Sequence, residues 1–205
     1  MTNPELQESV LVVPSAIIAA ACPQGFHRDA AGVKTAVLAN CRFLERTVAE
    51  HDFGFKQVIP YVVVRHRDQF LLMRRTNKQT ESRLHDKYSL GVGGHINSAD
   101  VSNGQANVID SGMRRELQEE IRVEAEQSCE LIGIINDDST EVARVHMAFV
   151  YLLNTASAAY TIMEPDKYSA GWKSAEEINQ LYKQMESWSQ IVHDHVIAQG
   201  AWRAL

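Results

Sequence analysis

The chain has 205 residues, enough for one good-sized core and short for two, so one domain with extensions is expected. Its composition is ordinary for a globular protein, 45% hydrophobic and 22% charged, and it offers no run of about eighteen apolar residues to cross a bilayer. Twenty basic residues against twenty-six acidic ones leave a formal charge of -6 without a basic stripe, which disfavours duplex nucleic acid as a ligand and leaves room for a small anion bridged by metal.

Leu11 to Val13 reads as a short apolar strand. The surrounding stretch Val10 to Cys22 is the nearest thing to a signal-peptide core, but Glu5 and Glu8 precede it and no basic segment does, so a cytoplasmic location is expected. A helix is expected around Ala36 to Glu50. Two strand-like runs follow, IPYVVVRH and QFLLMRRT, joined by the polar turn Arg67-Asp68 as a hairpin. After a charged loop, Asn77 to Lys87, the segment YSLGVGGHI (Tyr88 to Ile96) sets three glycines among apolar residues. That pattern marks a bulge, a bend, or a place where a ligand meets the backbone.

A polar loop, Asn97 to Gly104, leads into a helix expected over residues 106–123. Beyond it lie a strand near Glu130 to Ile135, a long strand near Val142 to Leu153, and the acidic stretch Glu164-Pro165-Asp166. The segment GWKSAEEINQLYKQMESWSQIVHDHVIAQ is helical at both ends, with Ser174 and Glu177 spaced as a capping box. Strands and helices interleave without regular beta-alpha-beta repetition, so the expected class is α/β with a mixed sheet flanked by helices. The three cysteines, Cys22, Cys41 and Cys129, are widely spaced and read as reduced, packed thiols.

The most informative segment is RRELQEEI, Arg114 to Ile121. On a helix, Met113, Leu117 and Ile121 form one apolar stripe, while Glu116, Glu119 and Glu120 stand at i, i+3 and i+4 on the adjacent arc. Three carboxylates at the rim of a core raise one another's pKa unless a cation compensates, and grouped oxygen ligands suit a hard ion such as magnesium or manganese. Arg115, four residues before Glu119, is close enough to hold that acid in one rotamer by a bidentate contact, but it cannot neutralise three. The alternative is a solvated helix face, the usual fate of an Arg/Glu run.

Gly93-Gly94, followed further on by Arg115-Glu116-Leu117 and Glu119-Glu120, resembles the signature of the Nudix hydrolases. IPYVVV with QFLLMRR is similar to that family's leading hairpin, and GWKSAEEI to its downstream strand-to-helix segment. FKQVIPYVVV, GVGGHIN and ESWSQIV resemble a bacterial, Nudix phosphoesterase-like branch in which a long N-terminal extension is part of the pattern. The resemblance implies a Nudix-type alpha/beta/alpha sandwich, with residues 1–56 an extension packed on a core and residues 57–205 the hydrolase domain. It departs from the common pattern in two ways. Gly94 and Arg115 are twenty-one residues apart where the common box has fourteen, so the usual first glutamate falls on Asn107, and Arg122 replaces the closing glycine. Asp100 and Asp110 are the candidates for that glutamate's supporting job.

Carried over residue by residue, the resemblance implies metal ligation by the Gly93 carbonyl and by Glu116, Glu119 and Glu120, with Arg115 orienting. A further acid is expected from the loop before the tryptophan segment, Glu164 or else Asp166, whose alternative is solvation. The implied enzyme is a pyrophosphohydrolase using Mg2+ or Mn2+, with Glu116 or Glu119 as general base, acting on a nucleoside diphosphate linked to another moiety. The implied partner is a small nucleotide-like substrate, with no duplex nucleic acid and no membrane, and a homodimer is compatible. A catalytically reduced ligand-binding or regulatory module on the same fold is the rival reading. An isoprenyl diphosphate isomerase would need a cleft cysteine that none of the three supplies. Among the remaining residues, His95 reads as hydrogen-bonded locally, His146 as packed or facing the cleft, and His193 and His195 as poor joint ligands. Trp172, Trp188 and Tyr168 read as core.

Overall fold

The computed structural model describes residues 8–75, 87–104 and 107–204. In chain order the elements begin with β1 (Ser9–Pro14), α1 (Ser15–Ala21), β2 (Gly25–His27), α2 (Ala30–Asn40), β3 (Arg42–Glu45) and α3 (Arg46–Ala49). The hairpin follows as β4 (Phe55–His66) and β5 (Gln69–Arg75), then β6 (Tyr88–Ser89), β7 (Gly91–Val92), a 3-10 helix (Ser98–Asn103) and α4 (Val108–Glu120). The rest comprises β8 (Ile121–Val123), β9 (Glu126–Asn136), α5 (Glu141–Arg144), β10 (His146–Thr155), β11 (Tyr160–Ile162), β12 (Tyr168–Ser174), α6 (Ala175–Leu181) and α7 (Ser187–Val192), closed by a π-helical turn (His193–Ile197) and a 3-10 turn (Ala201–Ala204). The charged loop read over 77–87 lies, apart from Lys87, outside the described residues. Among those described, no helix is long and apolar enough to cross a membrane.

The chain forms two compact units, residues 1–61, 93–116 and 131–150 in one and residues 62–92, 117–130 and 151–205 in the other. Helix α4 and strands β4, β9 and β10 contribute residues to both. In the first unit, β1 pairs antiparallel with β3 (Val10 with Leu44) and, further along, with β4 (Val12 with Gln57). Val10, Val12 and Ala49 form a buried cluster there, with Leu44 and Phe55 packed on it. This pairing corrects the helix read over 36–50. The chain turns extended at Cys41, and the strand partner offered by β1 overrides local helical propensity from Arg42 to Glu45. The strand read from Val142 likewise begins later, because Thr140 accepts a hydrogen bond from Ala143 N and caps the short helix α5.

In the second unit, β5 pairs with β12 from Gln69–Ser174 to Arg75–Tyr168 and with β4 across the Arg67-Asp68 turn. Arg67 takes a left-handed conformation there, with φ 54°. Strands β8 and β11 make a separate two-stranded sheet, Ile121 facing Ile162. The capping box starting α6 forms as read, Ser174 Oγ accepting from Glu177 N and the Glu177 carboxylate from Ser174 N. Trp202 lies buried at 1% exposure, its ring edge-on to Phe70 at 5.4 Å between centroids.

In the first unit the glycine bend is explained by a backbone approach. A Cβ on Gly93 would lie 1.8 Å from the Pro60 carbonyl oxygen, so no side chain fits and β4 cannot yield without breaking its own pairing. Gly171 in β12 has nothing within 4 Å of such an atom. Gly93→Ala is therefore expected to lose at least about 3 kcal/mol or to fail to fold, and Gly171→Ala to stay within about 0.5 kcal/mol of the parent. Urea unfolding midpoints of the two variants check this, and equal midpoints would refute the close approach.

Candidate active site

Helix α4 positions the carboxylates by burying its other side. Met113, Leu117 and, just past the helix, Ile121 are buried as the stripe requires. Glu116 and Glu120 are then half-buried and Glu119 is exposed. The helix runs directly into β8, so Arg122, where the resemblance leads one to expect glycine, sits in extended backbone that any residue adopts.

In the first unit, Arg115 holds Glu116. Its Nη1 donates to Glu116 Oε1 at 2.8 Å, its Nε to Asp100 Oδ1 at 2.9 Å, and its Nη2 to Asp100 Oδ2 at 3.0 Å and to the His95 carbonyl at 2.7 Å. Burial alone would lower the Arg115 pKa, but the hydrogen bond with Asp100 and the charge of Glu116 outweigh it and raise it above the ordinary value. Glu116 also packs on the glycine bend, where a Cβ on Gly94 would come within 2.3 Å of Oε2. Of the two candidates for the missing glutamate's job, Asp100 takes the contact with Arg115, whereas Asp110 pairs with Lys34 at 2.8 Å. The polar loop from Asn97 to Gly104 thus supplies a buried carboxylate that accepts from two nitrogens of Arg115.

In the second unit, Glu120 Oε1 accepts from the Tyr168 hydroxyl at 3.1 Å, and the Glu120 carbonyl accepts from Met163 N at 2.9 Å. Glu164 follows directly after Met163 and pairs with Lys167 at 2.6 Å. Tyr168, read from sequence as core, is buried but has this second task, for which the sequence carries no signal. Trp172 is occupied in packing, its indole N–H donating to the Ala158 carbonyl. Among the described residues, no three His, Cys, Asp or Glu side chains stand together in ligating geometry.

His95 and His146 belong to the first unit, their ring centroids 5.7 Å apart. The buried Nε2 of His95 has no hydrogen-bond partner among the described residues. His146 Nδ1 donates to the Val142 carbonyl at 2.6 Å. Burial lowers the pKa of both, with Arg46 acting in the same direction on each. Burial pushes the Cys22 thiol up to about 11 against the pull of Lys56, so it is no nucleophile near neutral pH.

Tm1382, a candidate Nudix hydrolase whose crystal structure is known, superposes with a TM-score of 0.81 at 30% identity, covering 94% of this chain and 100% of that one. The chain belongs to the Nudix hydrolase family. Its fold is accordingly α/β with a mixed sheet, as read from the sequence. Protein YmaB of Bacillus subtilis (strain 168) is 36% identical to this Nudix hydrolase over 169 residues, 80% of this chain and 82% of its own length. The Nudix domain of Shewanella oneidensis NrtR, solved with ADP ribose, shares the fold at 16% identity and a TM-score of 0.53, over 73% of this chain and 89% of that one. No family model matches the chain.

Two outcomes follow from this geometry. Asp100→Ala leaves the half-buried Arg115 without the carboxylate that takes two of its nitrogens and is expected to cost about 3 kcal/mol, read from urea unfolding. The second concerns pH. Burial holds the His146 pKa below its ordinary value of 6.5 in the fold, whereas the unfolded chain takes up this proton near 6.5. The unfolded state therefore binds more protons below that pH, and stability falls as pH drops through 6.5 toward the folded pKa. Melting temperatures between about pH 7.5 and 5.5 should decline less in His146→Asn than in the parent. Parallel curves would refute the assignment.

Proposed function

We propose that this Nudix hydrolase cleaves the diphosphate bond of a nucleoside diphosphate linked to another moiety, with Mg2+ or Mn2+ as cofactor. The observation that carries the reading is Glu116, whose Oε1 is fixed by Arg115 and whose Oε2 rests against Gly94, so that one carboxylate is orientated at the bend where side chains are excluded. Glu119 and Glu120 stand one turn further along the same helix.

The donors implied by the resemblance suit a hard divalent ion by their chemistry, although among the described residues no three of the acids gather in ligating geometry. They are oxygens alone, the carboxylates of Glu116, Glu119 and Glu120 with the Gly93 carbonyl, and Glu164 as a further acid from the loop after β11. Bound there, the ion would polarise a phosphoryl oxygen, lower the pKa of the attacking water and screen the leaving phosphate. The chain's own residues have distinct tasks. Arg115 is a positioning residue that keeps Glu116 in one rotamer, Tyr168 does the same for Glu120 through its hydroxyl, and the carboxylate of Glu116 or Glu119 takes the water's proton. ADP ribose, bound by the NrtR domain, has the substrate chemistry proposed here and supports it.

The test is turnover of dinucleoside polyphosphates, nucleotide sugars, capped RNA ends and nucleoside triphosphates with Mg2+ or Mn2+. Activity is expected to vanish in excess chelator. Glu119→Gln and Glu120→Gln are each expected to lower turnover roughly a hundredfold or more while leaving the chain folded. Undiminished activity in both variants would make this helix a solvated face, and ligand binding without turnover of any panel member would favour a regulatory module.

A further inference from the structure

The second unit contains a cavity of about 430 Å3 that shares no residue with the candidate active site. It lies at the β4–β5 turn, lined by Arg65, His66 and Arg67, and by Gln127, Ser128 and Thr155 among others. Its volume falls in the range of roughly 300–1,000 Å3 typical of small-molecule sites. In a chain with a formal charge of -6, this lining holds two guanidinium groups and no acid.

We infer that this cavity is a binding site for a phosphate monoester, held between the guanidinium groups of Arg65 and Arg67. Three observations support it. The side chain of Arg67, at the tip of the turn, has no hydrogen-bond or ion-pair partner among the described residues, and its left-handed backbone places it there by conformation rather than by a contact of its guanidinium. Arg65 donates Nε to the Arg67 carbonyl at 2.6 Å and Nη1 to the Trp202 carbonyl at 2.7 Å, which fixes the guanidinium while neutralising none of its charge. Its Cζ stands 4.5 Å from the Trp202 ring centroid, and so does that of Arg203, which brings a second cation to the same indole.

The electrostatic state of Arg65 agrees with that geometry. Burial lowers its pKa, the charge of Asp68 raises it, and Arg203 lowers it again, so a partly desolvated cation carries little compensation. A phosphate dianion supplies two charges and a set of acceptor oxygens that planar guanidinium forks match. Ser128 adds a neutral donor. Its Oγ accepts from Asn154 Nδ2 at 3.0 Å, which leaves its hydroxyl hydrogen available.

Inorganic phosphate, AMP and adenosine are the probes, titrated at constant ionic strength into the full chain while backbone amide resonances are followed. Phosphate and AMP are expected to shift the amides of Gln127, Ser128, Thr155 and Ala156 saturably, and adenosine to leave them unmoved. Arg67→Asn keeps a residue that tolerates the left-handed turn but removes the guanidinium, and should weaken phosphate binding about tenfold. Gln127→Glu, at an exposed position, introduces an acid into the lining and should weaken it comparably. Glu119→Gln, in the active site, should leave these shifts unchanged, which separates this site from the catalytic reading. Absence of saturable shifts at those amides, or the same affinity in the parent, Arg67→Asn and Gln127→Glu, would overturn the proposal.

Discussion

A guanidinium exposed over only a quarter of its side chain has to be paired nearly all round, and Arg115 meets that demand with three pieces of chain. Asp100 reaches it from the loop, the His95 carbonyl from the glycine bend, and Glu116 from its own helix. Breaking such a partly buried pair costs more than an exposed one, because the remaining charge stays desolvated. The orientation of Glu116 therefore depends on a network whose other members need never touch substrate. Gly93 sets the position of the bend by its approach to Pro60, and Arg115 ties that bend to the helix.

The parts legible in the sequence are those written in local periodicity. The β4–β5 hairpin shows in its alternation and turn, the stripe of Met113, Leu117 and Ile121 in its helical spacing, and the α6 start in Ser174 and Glu177. The acids of α4 are legible for the same reason, since i, i+3 and i+4 fix a common arc. Strand β3 was not, because its conformation comes from pairing with β1, some thirty residues away in sequence. Tyr168 was hidden likewise, since its contact with Glu120 spans 48 residues and arises only when the chain folds back.

Buried charge elsewhere in the first unit follows the same logic with a different solution. Lys56 is only 4% exposed, yet Nζ reaches Asp138 at 2.7 Å and the carbonyls of Arg144 and His146 at 3.2 and 3.3 Å. One carboxylate supplies the countercharge and backbone dipoles supply the remaining hydrogen bonds, which a burial this deep requires. The bonded carbonyls include that of His146, so the ammonium helps to fix the start of β10, where the buried histidine sits. Desolvation of its ring lowers the His146 pKa most, and Arg46 and Lys56 act in the same direction against the Val142 hydrogen bond and the charge of Glu50, which raise it.

The longer spacing between Gly94 and Arg115 is absorbed without loss of the arginine's anchor because the additional chain folds back on itself. Asn97 caps the 3-10 helix from Ser98 to Asn103, its side chain accepting from Ala99 N while Asp100 Oδ2 accepts from Asn97 N at 2.9 Å. That reciprocal cap fixes the Asp100 backbone three residues into the loop and aims its carboxylate at Arg115, far from position 107 where counting along a shorter loop would put the acid. Space for the arrangement comes from α4 itself. A Cβ on Gly112 would lie 2.8 Å from Ile96 and 3.1 Å from Asp100 Oδ2, so the helix accepts a glycine at about 1 kcal/mol of intrinsic propensity in exchange for close contact with the loop. An acid at a different sequence position thus delivers a similar constraint, since what the arginine requires is a buried carboxylate at bonding distance and not a fixed count of residues.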